Sequence, residues 1–226
     1  LEVEVAEQVQ SQKKPLDFPT WLAALKQCRR CRLCETRTQA VAGEYRENPL
    51  IFMLGEAPGG REDQEGRPFC GQAGGILDDF LRLAELRREE VYISNVVKCR
   101  PTRPSNNGKY GAYANRKPTT DEIRTCSPWL ELELRLLCPK LLVTLGGVPL
   151  SYVMEKNAAV GQYHGRAFFH HKYNMWVYPL YHPAALIYDA SKKADYEQDV
   201  RNLGLMCKSM FSNNGNNVNA DNDKKL

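Results

Sequence analysis

The stretch Gly55 to Gly75 reads GEAPGGREDQEGRPFCGQAGG, and the rest of the chain is organised around it. It follows the apolar run Leu50-Ile51-Phe52-Met53-Leu54, which has the length and side chains of a buried strand. It runs into an amphipathic segment, Ala73 to Leu86, that predicts a helix. The stretch holds seven glycines, two prolines, four acids and one aromatic, Phe69, expected at the surface. Glycine permits positive φ and lets backbone approach a ligand closely. Strand, glycine-rich loop and helix are how an open α/β sheet presents a site at the carboxyl ends of its strands. A surface loop built from turn residues is the plainer alternative for the stretch taken alone.

Outward from this stretch, four more apolar runs read as strands: Val91 to Val97, Lys140 to Leu145, Ala167 to His170 and Met175 to Leu180. Helical patterns lie between them. Thr119 to Leu137 opens with Thr119 and Glu122 spaced as a capping box, and Ser191 to Phe211 places Leu203, Met206 and Met210 on one side. Pro19 to Lys26 predicts a short helix. Alternation of strand and helix predicts a mainly parallel sheet covered on both faces, an α/β three-layer αβα domain over residues 19–211. Residues 1–18 are expected to be a flexible lead-in and the Asn-rich residues 212–226 a disordered tail. Strand ends at Gly55-Glu56, Ser94-Asn95, Gly146-Gly147 and Tyr181-His182-Pro183 converge on one edge of the sheet. Thr102 to Ala114, TRPSNNGKYGAYA, reads as a long loop without periodicity.

In a chain of 226 residues no run of eighteen apolar residues occurs, and the amino terminus lacks a signal-peptide core. A cytoplasmic monomer is expected. Net charge is +4, but Lys98, Arg100, Arg103, Lys109, Arg116 and Lys117 share one segment with no acid among them, and Arg29, Arg30 and Arg32 form a second cluster. Such patches suit a phosphate backbone, or are simply a solvated basic face. Eight cysteines in a reducing compartment favour metal ligation over disulfides. Cys28 and Cys31 are spaced C-x-x-C; with Cys99 and Cys126 they make four thiolates, enough for a four-iron cluster or for zinc, with Cys34 as a rival ligand. Cys138 and Cys207 read as small buried hydrophobes.

The chain resembles the family-four uracil-DNA glycosylases, the iron-sulfur branch of their superfamily. The resemblance spans roughly Cys28 to Gly204 and rests on several motifs in order: the C-x-x-C pair, ETRTQAVAGEY at Glu35 to Tyr45, GEAPGGRED at Gly55 to Asp63, GRPFCGQAG at Gly66 to Gly74, SNVVKCRP at Ser94 to Pro101, NRKPT at Asn115 to Thr119, and YHPA at Tyr181 to Ala184. It implies a four-stranded parallel sheet between helices, a structural 4Fe-4S cluster and hydrolytic release of uracil from DNA, single- or double-stranded. The residues suit that chemistry. Phe69 is placed to stack on a flipped base, or to anchor the loop to the core. Asn95 offers an acceptor and a donor matching the N3–H and O4 edge of uracil, or caps its strand. His182 is placed to donate to O2 of the leaving base, or is a satisfied loop histidine. Where other glycosylases carry an aspartate in the first motif, this chain has Ala57; Glu62, with Glu56, is then the acid nearest the sugar, aided by backbone N–H groups from Gly55 to Gly59. Arg100, Arg103, Lys109 and Arg116 are expected on DNA, with Leu186 either a wedge in the base stack or a core leucine. The alternative function is a protein of the same fold that captures uracil sites without turnover. Against covalent capture, none of the four histidines lies in the Thr102 to Ala114 segment.

Overall fold

The computed structural model describes residues 17–44, 46, 48–106 and 111–211. The expectations for residues 1–16, for the tail from 212, and for Tyr45, Lys109 and Tyr110 lie outside the described residues.

The chain enters through α1 (Phe18–Lys26), whose N-cap Asp17 accepts from the Thr20 backbone N–H, and a single turn, α2 (Leu33–Thr36). Then come β1 (Ile51–Gly55), α3 (Gly60–Glu65), α4 (Gln72–Leu83) and β2 (Val91–Asn95). Two short strands, β3 (Thr102–Pro104) and β4 (Tyr113–Asn115), precede α5 (Thr120–Leu137). The rest is β5 (Leu141–Leu145), α6 (Gly147–Val153), β6 (Phe168–His170), β7 (Met175–Leu180), α7 (Ala185–Tyr188) and α8 (Lys193–Phe211). The α5 capping box forms as its sequence requires: the Thr119 hydroxyl accepts from Glu122 N and the Glu122 carboxylate from Thr119 N.

The main sheet has strand order β2-β1-β5-β7-β6. The first four strands are parallel, and β6 pairs antiparallel with β7. The expected parallel four-stranded sheet is therefore a mixed five-stranded one. The reason is chain length: only four residues separate His170 from Met175, enough for a hairpin and far too few for a crossover.

Side chains of β1 alternate between two cores, as a strand covered on both faces must. Phe52 and Leu54 pack with Trp21, Tyr92 and Trp129 under α1 and α5. Ile51 and Met53 pack with Leu77, Phe80, Tyr196 and Leu203 under α4 and α8. Cys207 is buried in the second core as expected, but Cys138 is exposed at the C-cap of α5, its thiol donating to the Arg135 carbonyl. A helix terminus in left-handed backbone turns its side chain outward, which composition could not reveal.

The expected long loop from Thr102 to Ala114 is, in its described part, the β3–β4 ribbon, with Arg103 opposite Ala114. Two arginines at its base hold it. Arg100 donates to the Tyr113 carbonyl and Arg116 to the Thr102 carbonyl. Among the described residues no helix is long and apolar enough to cross a membrane.

Candidate active site

At the carboxyl ends of β1 and β2 the glycine-rich segment folds back on itself. Phe69 adopts left-handed backbone, φ 49°, and its carbonyl lies where a Cβ on residue 74 would sit, 1.9 Å away, so only glycine fits there. Glu62, on α3, closes the segment: one carboxylate oxygen accepts from Gly59 N at 3.1 Å and the other from Gly71 N at 2.8 Å. The loop is thus braced by a carboxylate, and its glycines leave open the space in front of it.

That space is a cavity of about 780 Å³ lined by Ala57, Gly59, Glu62, Phe69, Asn95 and His182, with the base of the ribbon, Tyr113 to Asn115, as its far wall. Phe69 is buried, not exposed as its sequence context suggests. Its ring belongs to the second core and also lines the cavity, with a centroid 5.7 Å from that of His182 at an interplanar angle of 31°. The ring thus anchors the loop to the core and at the same time presents a surface to the cavity. Asn95 is 2 % exposed, and its amide oxygen is buried without a partner. A Cβ on Gly55 would meet that oxygen at 2.4 Å and the Phe69 ring at 2.7 Å, so the absent side chain keeps a slot open between them. Burial drives the His182 imidazole down to a pKa of about 4, against the opposing pull of the Glu62 carboxylate. Its Nδ1 accepts from the Ala184 N–H at 3.1 Å, which leaves the proton of the neutral ring on Nε2.

The structure brings Glu62, His182, Ala57, Gly59, Phe69 and Asn95 together around one cavity, with Gly55 as the floor of its slot. Glu56 is not among the lining residues; burial raises its pKa, with Lys117 opposing. The expected DNA-contact residues separate. Arg100 is buried at 5 % exposure and lines the cavity, its Nε donating to the Asn115 amide oxygen at 2.7 Å. Arg116 forms two hydrogen bonds to the Glu122 carboxylate and staples the ribbon to α5. Lys98, which the sequence places in the basic patch, is fully buried and paired with Glu133. Arg103 is exposed on the ribbon, and Lys109 lies outside the described residues. Leu186 is partly buried against the second core. Among the exposed residues that line the cavity, Tyr188 is 87 % exposed. Sequence reasoning passed over it, along with Arg61 and Gln72, and the only signal was position just beyond YHPA.

Cys28, Cys31, Cys34, Cys99 and Cys126 line one small recess on the other side of β2's exit segment. Three N–H donors meet sulfur there: Arg37 to Cys99 at 2.8 Å, Trp129 Nε1 to Cys28 at 3.3 Å and the Lys98 backbone to Cys126 at 3.3 Å. Burial pushes the Cys99 thiol up to about 11, opposed by Arg37, and the Cys126 thiol up to about 12, opposed by Lys98. Among the described residues no three His, Cys, Asp or Glu side chains converge as ligands of a single metal ion. A cluster of several irons spreads its thiolates around its own bulk, and sulfurs already receiving N–H donors are suited to carry its negative charge. The donor set therefore fits such a cluster in chemistry.

The model of the uracil DNA glycosylase superfamily matches residues 42–203. A type-4 uracil-DNA glycosylase of Sulfurisphaera tokodaii is 36% identical over 183 residues, covering 78% of this chain and 78% of its own. One of Saccharolobus solfataricus is 36% identical over 79% of this chain and 81% of its own. One of Archaeoglobus fulgidus is 34% identical over 80% and 88%.

Proposed function

The chain belongs to the uracil DNA glycosylase superfamily, among its type-4 members, and from that premise we propose that it hydrolyses the bond between uracil and deoxyribose in DNA, releasing free uracil and leaving an abasic site. The observation that carries this reading is the buried, unpartnered amide oxygen of Asn95 beside the Phe69 ring. A buried acceptor without a donor costs about 1–3 kcal/mol. A ligand supplying an N–H in the plane of that amide recovers it. Uracil does so with N3–H while its O4 accepts from the Asn95 amide nitrogen; cytosine presents the opposite pattern and leaves both groups unmatched.

A base in a duplex is out of reach of this slot, so the nucleotide is flipped into it. Phe69 stacks on the base, at about 1–3 kcal/mol by the usual worth of such contacts. As the N1–C1′ bond breaks, its electron pair passes to the uracil ring. His182, neutral and carrying its proton on Nε2, donates to O2 where that charge gathers, a donor worth roughly 3–4 kcal/mol in a dry site. The sugar is left as an oxocarbenium-like cation facing the Glu62 carboxylate, whose charge is held in place by Gly59 and Gly71. Water adds to C1′ and gives up a proton to solvent, and the released uracil anion takes one up to become free uracil.

We place a 4Fe-4S cluster on Cys28, Cys31, Cys99 and Cys126. When bound it supplies cross-links between the amino-terminal segment, the residues after Asn95 and α5. The test of function is uracil release from single- and double-stranded oligonucleotides by purified protein, with EDTA present. Free uracil, an alkali-labile abasic site and no heat-stable protein–DNA band on a denaturing gel are expected. A persistent band would replace hydrolysis with covalent capture.

A further inference from the structure

Beneath the cavity lies an ionic network that the chemistry above does not use. The Lys98 and Glu133 side chains are both 0% exposed and form an ion pair. All three hydrogens of the Lys98 ammonium have acceptors: the Glu133 carboxylate, the Ser94 hydroxyl at 2.7 Å and the backbone carbonyl of Asn95 at 2.8 Å. Glu133 in turn accepts from the Tyr92 hydroxyl at 2.6 Å and from Ser94 at 3.1 Å. The backbone of Lys98 is fixed as well, its N–H on the Cys126 sulfur and its carbonyl accepting from Val41 at 2.7 Å.

Stability does not account for this arrangement. A buried ion pair gains little over a well-packed apolar pair of the same volume, because desolvation offsets the attraction. The group that the network reaches is the carbonyl of Asn95, whose buried amide oxygen is without a partner in the cavity. The Asn95 amide oxygen has no hydrogen bond to aim it, so its direction comes from its backbone. β2 ends at Asn95, and the ammonium fixes the peptide plane at that end.

We propose that Lys98, held by Glu133, is a positioning residue for base recognition: it orients Asn95 by gripping its carbonyl, and it links that residue to the cysteine recess through Cys126. This rests on the glycosylase reading. The test replaces the pair with apolar residues of similar size, Lys98→Met with Glu133→Leu, which removes the grip without leaving a lone buried charge. Two affinities are measured, for a duplex carrying a non-cleavable 2′-fluoro-deoxyuridine and for the same duplex with a tetrahydrofuran abasic site, alongside single-turnover uracil release. Uracil-duplex affinity and excision rate should each fall about tenfold while abasic-site affinity holds, and the double change should cost nothing further in an Asn95→Ala background. Equal loss for both duplexes, or an undiminished loss in the Asn95→Ala background, overturns the positioning role. If the double variant fails to fold, Ser94→Ala is measured in the same way and should shift the same ratio by less; an unchanged ratio there also overturns it. Failure of the wild-type protein to release uracil would instead overturn the glycosylase reading.

Discussion

Five consecutive residues, Asn95 to Cys99, serve two regions of opposite character. Asn95 faces an open cavity of about 780 Å³ whose shape is set by backbone: glycines at 55, 59, 71 and 74, a left-handed Phe69 and a carboxylate holding two N–H groups. Cys99 faces a closed recess set by side chains, where arginine and indole N–H groups reach sulfur. In the cavity the Asn95 amide oxygen is unsatisfied; in the recess N–H donors are directed at three sulfurs. On the proposed reading, the open acceptor is what the edge of a base fills.

This contrast breaks most sharply on variants that should lose activity without losing the fold. Asn95→Ala and His182→Ala should each cut the single-turnover rate by roughly 10²–10³-fold with little change in melting temperature. A His182→Ala enzyme within twofold of wild type would remove the imidazole from the chemistry. Gly55→Ala comes next. Its Cβ enters the slot between Asn95 and Phe69, so uracil-duplex affinity should drop by at least about tenfold while abasic-duplex affinity changes little, since overpacking of this kind costs about 1–3 kcal/mol.

The recess should respond the other way. Cys99→Ala or Cys126→Ala should remove the brown colour and visible absorbance of the purified protein and lower its melting temperature; Cys99→Ala should leave the uracil preference of the surviving folded fraction unchanged, whereas Cys126→Ala, which releases the Lys98 backbone N–H, should weaken it. Iron and sulfide assays decide between the cluster and zinc; a colourless wild-type protein holding one zinc contradicts the cluster.

The pH profile sharpens the cavity side alone. With a folded pKa of about 4, His182 stays neutral from pH 8 down past 5, so its contribution to the rate should be flat there and fall as pH approaches 4. Its depressed pKa also means that the unfolded chain binds the proton first. The stability contributed by the neutral ring is present above about pH 6.5 and declines as pH falls toward 4. A rate that falls through pH 6.5 would show an imidazole titrating normally. The smallest effects belong to α7. Leu186→Ala should cost about 1 kcal/mol of stability through lost packing, whereas Tyr188→Ala should leave stability unchanged; a denaturant titration separates them.

Much of this architecture was legible in residue order. The apolar run before Gly55, the capping box at Thr119 and Glu122, and the alternation of strand and helix each depend on interactions within a few residues, which sequence displays directly. The motifs also placed Asn95 and His182 at strand ends, which parallel strands bring to one edge, and Phe69 and Glu62 in the glycine-rich segment that follows β1. Charge was the part least legible. Lys98, Arg100 and Arg116 look alike in sequence, yet Lys98 is sealed against Glu133, Arg100 walls the cavity and Arg116 is spent on Glu122.

Backbone propensity and periodicity are local, so the α/β layering, the glycine-rich loop and the residues at each strand end are written in residue order. Distant contacts set the rest: the edge strand β6 runs antiparallel, Glu56 stands outside the cavity while Glu62 braces its loop, and Leu186 is partly buried against the second core. The tertiary structure alone revealed the unpartnered Asn95 oxygen. Whether a polar group is paired, solvated or left waiting depends on neighbours contributed from far along the chain, such as Glu133 beneath Lys98, and burial sets the strength of each such interaction.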